Sequence, residues 1–115
     1  MIPAEINPDE VTELQKICAQ VVQATRDAGC LFLYLGTITF RVGSRTESVE
    51  ALLCPMPREG YPSRLYFSRQ VAKAGLNWNG NLFLLGKNWY AVSWMLPKEK
   101  FRLAEMVALH LRAFQ

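Results

Sequence analysis

The side chains of this chain able to do nucleophilic or acid–base chemistry are few: Cys18, Cys30, Cys54 and a single histidine, His110. The three cysteines are odd in number and form no CxxC pair. Neither a disulfide framework nor a zinc centre is therefore expected, and no cofactor is implied. Cys54 is the candidate thiol. It closes an apolar run ahead of Pro55, with Arg58 nearby in sequence. Positive charge beside a thiol favours the thiolate, so a depressed pKa is expected if Cys54 is a nucleophile. The competing reading is a small apolar side chain ending a strand. Cys18 reads as buried on a first helix. His110 lies between Leu109 and Leu111, with no nucleophile or orienting acid to be identified. It reads as an ordinary surface or core-edge histidine. HExxH, GxSxG and a glycine-rich phosphate loop are all absent. Glu47 and Glu50 lie three apart in an expected strand and so face opposite sides.

The elements that would position these groups follow from periodicity. Asn7-Pro8-Asp9-Glu10 is a helix start, with Asn7 as cap, Pro8 in the first turn and Glu10 placed to complete a capping box. Val11, Leu14, Ile17/Cys18, Val21 and Ala24/Ala28 continue at helical spacing, and Gly29 suits a stop. One long helix is expected over 8–28. Four strands follow: 31–35, the alternating 37–42, 47–54 after a turn at 43–46, and 64–71. PMPREGYP (55–62) lies between the last two, and its three prolines exclude regular structure. GLNWNGNLFLLGKNWYAVSW (75–94) reads as a hairpin. Its arms run Asn81–Leu85 and Asn88–Met95, and its turn is Gly86-Lys87. On its second arm Trp89, Ala91 and Ser93 share one face, and Tyr90, Val92 and Trp94 the other. Phe101, Ala104, Val107/Ala108, Leu111 and Phe114 recur at helical spacing. The expected fold class is α+β. It comprises an N-terminal helix, an antiparallel meander sheet of four to six strands and a C-terminal helix, in one domain over 1–115.

Composition narrows the function classes. Half of the 115 residues are apolar and a fifth are charged, as in globular domains. Residues 1–30 carry five acids against two bases. The rest carry eleven bases against five acids, without the clustering a nucleic-acid stripe needs. A nucleic-acid partner is not expected. No uninterrupted apolar run approaches the length of a membrane span, and the N-terminus lacks the basic start and apolar run of a signal peptide. Free thiols suit a reducing compartment, so the cytoplasm is expected.

The order helix, meander, Tyr61-Pro62 within PREGYPSRLYF, Asn77 to Gly80, then LFLLGKNWYAVSW before a last helix resembles the ubiquitin-conjugating-enzyme fold. Its relatives include catalytically dead variants and RWD domains. In that family a YP motif leads into the fourth strand. Downstream, an asparagine and a glycine precede an apolar segment, and a tryptophan follows it. The resemblance implies a catalytic cysteine near Phe83. This chain has no cysteine beyond Cys54, and the histidine and proline that precede the family's asparagine are missing. It therefore implies a domain of that shape without thioester chemistry, because phenylalanine is no nucleophile.

The reading that follows is a non-catalytic interaction domain whose surface is the 55–62 loop and the 76–94 hairpin. Tyr61, Trp78, Trp89, Tyr90 and Trp94 would contact a protein partner or a second copy, with Arg58, Arg64 and Lys87 at the rim. The alternatives are an acyl-transfer or redox enzyme using Cys54, and a small-ligand carrier with aromatics lining a pocket between sheet and helices.

Overall fold

The structure is a computed structural model, and it describes residues 3, 5–18, 20 and 22–115. Helix α1 (Pro8–Gln15) begins where the sequence places it, the Asn7 side chain accepting a hydrogen bond from the Asp9 N–H at 2.8 Å. It then ends, far short of residue 28. Strand β1 (Gln23–Asp27) occupies the second half of the expected helix and pairs antiparallel with β2 (Cys30–Val42). Val21, one of the residues at helical spacing, lies outside the described residues. The helical spacing was a coincidence of apolar positions. Ala28 and Gly29 both take positive φ (50° and 79°), so the expected helix stop is the two-residue turn of a hairpin.

Strand β2 joins the two strands expected on either side of Gly36, whose φ is +72°. A bulge between Tyr34 and Gly36 adds one residue to β2 against β3 (Arg45–Cys54). That extra residue switches the face. Leu33 before it, Leu35 at it and Ile38, Phe40 and Val42 after it all enter the same core. β3 pairs with β4 (Arg64–Phe67), β4 with β6 (Lys87–Val92), and β6 with β5 (Trp78–Leu84). The result is one antiparallel six-stranded sheet in the order β1-β2-β3-β4-β6-β5. Helix α2 (Leu103–Leu111) and a short 3₁₀ turn complete the α+β fold. Among the described residues, no helix is long and apolar enough to cross a membrane.

Each face of the sheet buries its own core. The two helices contribute to the first, where Phe40, Phe67, Trp78 and Phe114 form a ring cluster with centroids 5.3–6.3 Å apart. The helices also meet each other. Glu10 accepts from the Leu103 N–H at 3.0 Å, and Glu13 accepts from Arg102 Nε at 2.8 Å. That bond to Arg102 holds the Glu13 carboxyl below its ordinary pKa.

The second core joins Phe32, Leu52, Cys54, Tyr66, Leu82, Trp89 and Ala91. All of these except Leu82 and Ala91 have essentially no exposed surface. Here the sheet curls over itself. Tyr34 on β2 meets Trp89 on β6 edge to face at 6.1 Å, although β3 and β4 lie between those strands. Burial of this kind contributes through apolar area and through ring geometry.

Candidate functional site

The residues singled out in the sequence do not form one exposed aromatic surface. Trp89 fills the curl, its indole N–H donating to the Leu84 carbonyl at 2.8 Å. Trp78 packs on the opposite face against Phe67 and Phe114. The expectation that Trp89 would meet a partner is corrected by the curl, which supplies its apolar contacts internally, while Trp78 is only partly covered by the last helical turn. Tyr90 is half-buried on β6. Trp94 remains 39% exposed, but it lies beyond β6 and donates its indole N–H to the Leu109 carbonyl of α2 at 2.9 Å.

Arg58 and Lys87 are lids on the second core. The Arg58 guanidinium lies 5.4 Å from the Phe32 ring centroid and donates from Nε to the Tyr66 hydroxyl at 3.0 Å. Lys87 lies 5.7 Å from the Trp89 ring and donates to Glu50 at 2.7 Å. Glu50 also accepts from the Tyr34 hydroxyl at 2.6 Å, and the hydrogen bonds from Lys87 and Tyr34 hold its carboxyl below the ordinary carboxylate pKa. Cationic heads over aromatic faces close the core where no helix covers it.

Arg64 was expected at a rim and is buried. Its guanidinium donates to Glu59 Oε1 at 3.0 Å, Asn79 Oδ1 at 2.5 Å and the Val92 carbonyl at 2.9 Å. It also stacks 4.1 Å from the Tyr61 ring centroid. The Tyr61 hydroxyl in turn accepts from Asn79 Nδ2 at 2.8 Å and bonds Ser93 Oγ at 2.9 Å. The proline-rich loop does have local order. Glu59 and Gly60 take φ of 56° and 86°, and Arg58 and Tyr61 exchange two backbone hydrogen bonds of 2.9 Å across them. This turn aims Glu59 at both Arg64 and Tyr66. Gly80 leaves room for the guanidinium, since a Cβ there would lie 3.1 Å from Arg64 Cζ. Of the eight expected binding residues, this network unites Arg58, Tyr61 and Arg64, and it adds Glu59, Tyr66, Asn79 and Ser93, which the sequence reading missed.

Cys54 does not have the thiol environment expected of a nucleophile. It is fully buried, and burial pushes its pKa up to about 11. Arg58, near it in sequence, donates instead to Cys30 Sγ at 3.6 Å. Cys18 also has its pKa raised to about 11 by burial. Alkylation of native protein is therefore expected to leave Cys54 unmodified at pH 8 until unfolding exposes it. Rapid native labelling at Cys54 in peptide maps would return it to candidacy as a nucleophile. Among the described residues, no three His, Cys, Asp or Glu side chains converge as metal ligands.

His110 has a partner that sequence spacing could not reveal. Its Nε2 lies 2.9 Å from Ser63 Oγ, and both residues are buried. Burial first, then the Arg64 charge, lower its pKa from 6.5 to about 4. The unfolded chain therefore binds the extra proton between those values and the folded chain does not. Stability is complete above about pH 6.5 and declines as pH falls towards 4, by about 3–3.5 kcal/mol at most from this group. His110→Gln, which can still bond Ser63, should flatten that part of the pH profile in urea melts. An unchanged slope would assign the dependence elsewhere.

Ser63 also lines a cleft of about 270 Å³ with Glu10, Pro62, Leu96, Lys100 and Met106. It lies beside the helix starts. Between sheet and helices, where the small-ligand alternative needs a pocket, the Phe40–Phe67–Phe114 cluster fills part of the space, and a cleft of about 230 Å³ remains between β2 and α2, lined by Ile38, Thr39, Val107, Ala108 and Leu111 with Ile17.

Among the described residues the exposed large apolar side chains are Ile17, just past α1, and Phe83, Leu85, Trp94 and Met95 in and after the hairpin. Phe83 on β5 is 67% exposed and Leu85 at the tip is 50% exposed. The turn is Leu85-Gly86, one residue earlier than expected, with φ of 54° and 78°. Two positive φ values match the twist of the flanking strands, whereas a Gly86-Lys87 turn would shift the arms out of register. Neither Phe83 nor Leu85 was singled out as a contact residue, because their neighbours in sequence are equally apolar. Comparison with protein-family models, curated proteins and solved structures returns no match for this chain.

Proposed function

We propose that this chain is a non-catalytic protein-interaction domain that binds through the outer side of the β5–β6 hairpin. The observation that carries this is Leu85. An L-residue at φ +54° is strained where Asn or Gly would sit comfortably, and here it is an exposed leucine at the tip of a hairpin. Strain and apolar exposure at one position are costs to the free monomer, and a contact made there would offset them. Phe83 extends the same apolar surface along β5, and half-buried Tyr90 stands across from Asn81. The binding residues of this reading are thus Phe83, Leu85 and Tyr90, with Trp94 and the exposed Met95 towards the hairpin base.

A ubiquitin-conjugating-enzyme-like shape without its cysteine is part of the proposal. It is supported by the order of helix, β2–β3–β4 meander, Tyr61-Pro62 before β4, and closing helix. The cytoplasm is proposed on the same footing, because all three cysteines are free.

The test is quantitative affinity capture from the source cell with wild-type, Phe83→Asp and Leu85→Asp chains, beside urea melts. The expected result is one protein partner (another chain or this one) lost at least tenfold in both variants, with melts within about 0.5 kcal/mol of wild type for exposed positions. Partners retained equally by both variants would overturn the hairpin reading.

A further inference from the structure

The two edges of the sheet are unlike. Strand β1 at one edge ends in exposed Arg26 and Asp27, and Arg26 pairs with Glu5. Charges on an edge discourage pairing with another strand. Strand β5 at the other edge, WNGNLFL, carries no charge and no proline.

Register shows which of its backbone groups point outward. Leu84 and Lys87 flank the two-residue turn and are the closing hydrogen-bonded pair. Alternation then makes Leu82–Trp89 and Gly80–Ala91 hydrogen-bonded pairs, and leaves Phe83–Asn88 and Asn81–Tyr90 unbonded to each other. Tyr90 agrees, since its pairing with Phe67 turns its backbone groups towards β4. The N–H and C=O of Asn81 and Phe83 therefore face away from the sheet. The bulge lies at the start of β5, between Trp78 and Gly80, and leaves the Gly80–Leu84 stretch regular.

We infer that β5 is a self-pairing edge, on which two copies of this chain join antiparallel with Asn81 of each opposite Phe83 of the other. This rests on the interaction reading above and names its partner. Charge selects the second copy. A two-fold axis brings an edge against itself, so a charged edge meets its own charges in mirrored positions, and like charges opposite each other destabilise pairing. An uncharged β5 carries no such penalty in a chain of net charge +3. The nearest cations on the hairpin side are already matched, Lys87 by Glu50 and buried Arg64 by Glu59. The register supplies four backbone hydrogen bonds between regular strand residues and covers both copies of Phe83. A contact confined to one strand edge belongs to the weak, reversible class, with a dissociation constant of order micromolar.

Sedimentation of the full chain from about 1 to 500 μM tests this, beside amide exchange at low and high concentration. A reversible monomer–dimer equilibrium is expected. Exchange at the Asn81 and Phe83 amides should slow at least tenfold on concentration. Phe83→Lys should weaken the dimer at least tenfold. Asn81→Pro should do the same, because it removes an outward N–H that β6 does not use. If the proline variant fails to fold, the exchange data decide alone. A monomer throughout overturns self-pairing, as does a dimer in which these two amides exchange freely. Either outcome leaves the hairpin reading standing if Phe83→Asp still loses its captured partner. Should capture also be indifferent to Phe83, that reading falls as well.

Discussion

Replacing Trp89 by alanine should cost about 3–5 kcal/mol, as expected for a fully buried large aromatic. That is a large part of the roughly 5–15 kcal/mol that holds a domain of this size folded. The loss has three sources. Trp89 is the largest side chain in the curl, so its removal opens a cavity in the second core. It leaves Tyr34 without its edge-to-face neighbour and Lys87 without the ring beneath it. It also removes the bond to the Leu84 carbonyl beside the hairpin turn. Trp89→Phe retains a ring and should cost less, about 1–3 kcal/mol. Trp94→Ala gives the contrast. Its ring is 39% exposed and its bond to α2 is at the surface, so a smaller loss of about 1–2 kcal/mol is expected. Urea melts read as midpoints with unchanged m values check the series. Equal losses at Trp89 and Trp94 would show that the curl does not bury Trp89.

These two tryptophans also show what could be read from the chain. Alternation placed Trp89 and Trp94 on opposite faces of the second arm, and β6 does turn Trp89 to one face and Val92 to the other. That the face carrying Trp89 is covered as well as the helix face is decided by the curl of the whole sheet, and that depends on the bulge at Tyr34–Gly36 and on strand order. Neither leaves a mark in local periodicity. The same is true of the α1 error. Apolar residues at helical spacing over 16–28 were satisfied equally well by a strand, and Ala28-Gly29 served as a turn signal only once β2 was there to pair with. Asn7, by contrast, acts through a contact two residues away, and local chemistry of that range was legible. The Ser63–His110 pair, 47 residues apart, and the reach of Arg64 to Asn79 and Val92 are long-range contacts that no spacing rule addresses. Arg64 was expected at an exposed rim, because arginine is rarely fully buried unless paired and its partners were invisible.

Arg64 carries the second large effect. Arg64→Ala should destabilise by about 3–4 kcal/mol, in the range found when one member of a buried charged network is removed. The guanidinium is buried, whereas Glu59 is half-exposed and can turn to water once released. The cost therefore falls mainly on the groups that cannot follow it out. The Val92 carbonyl loses a charged donor and the half-buried Tyr61 ring loses the cation beneath it, while exposed Asn79 can turn to water. Arg64→Lys keeps the charge but not the fork that reaches three acceptors at once, so roughly 1–2 kcal/mol should still be lost. Glu59→Gln should cost well under Arg64→Ala, because solvent already screens that partner. Gly80→Ala tests the same site from the other side. A Cβ there would lie 2.8 Å from the Ala91 Cβ and 3.1 Å from the guanidinium carbon, so β5 or Arg64 must shift, at about 1–3 kcal/mol. Combining Gly80→Ala with Arg64→Ala should then give clearly less than the sum of the two, since the crowded group is gone. Strict additivity would mean that Gly80 serves only its contact with Ala91. An Arg64→Ala loss no larger than that of Glu59→Gln would mean that the network is a surface ion pair rather than the support on which the loop and the base of the hairpin rest.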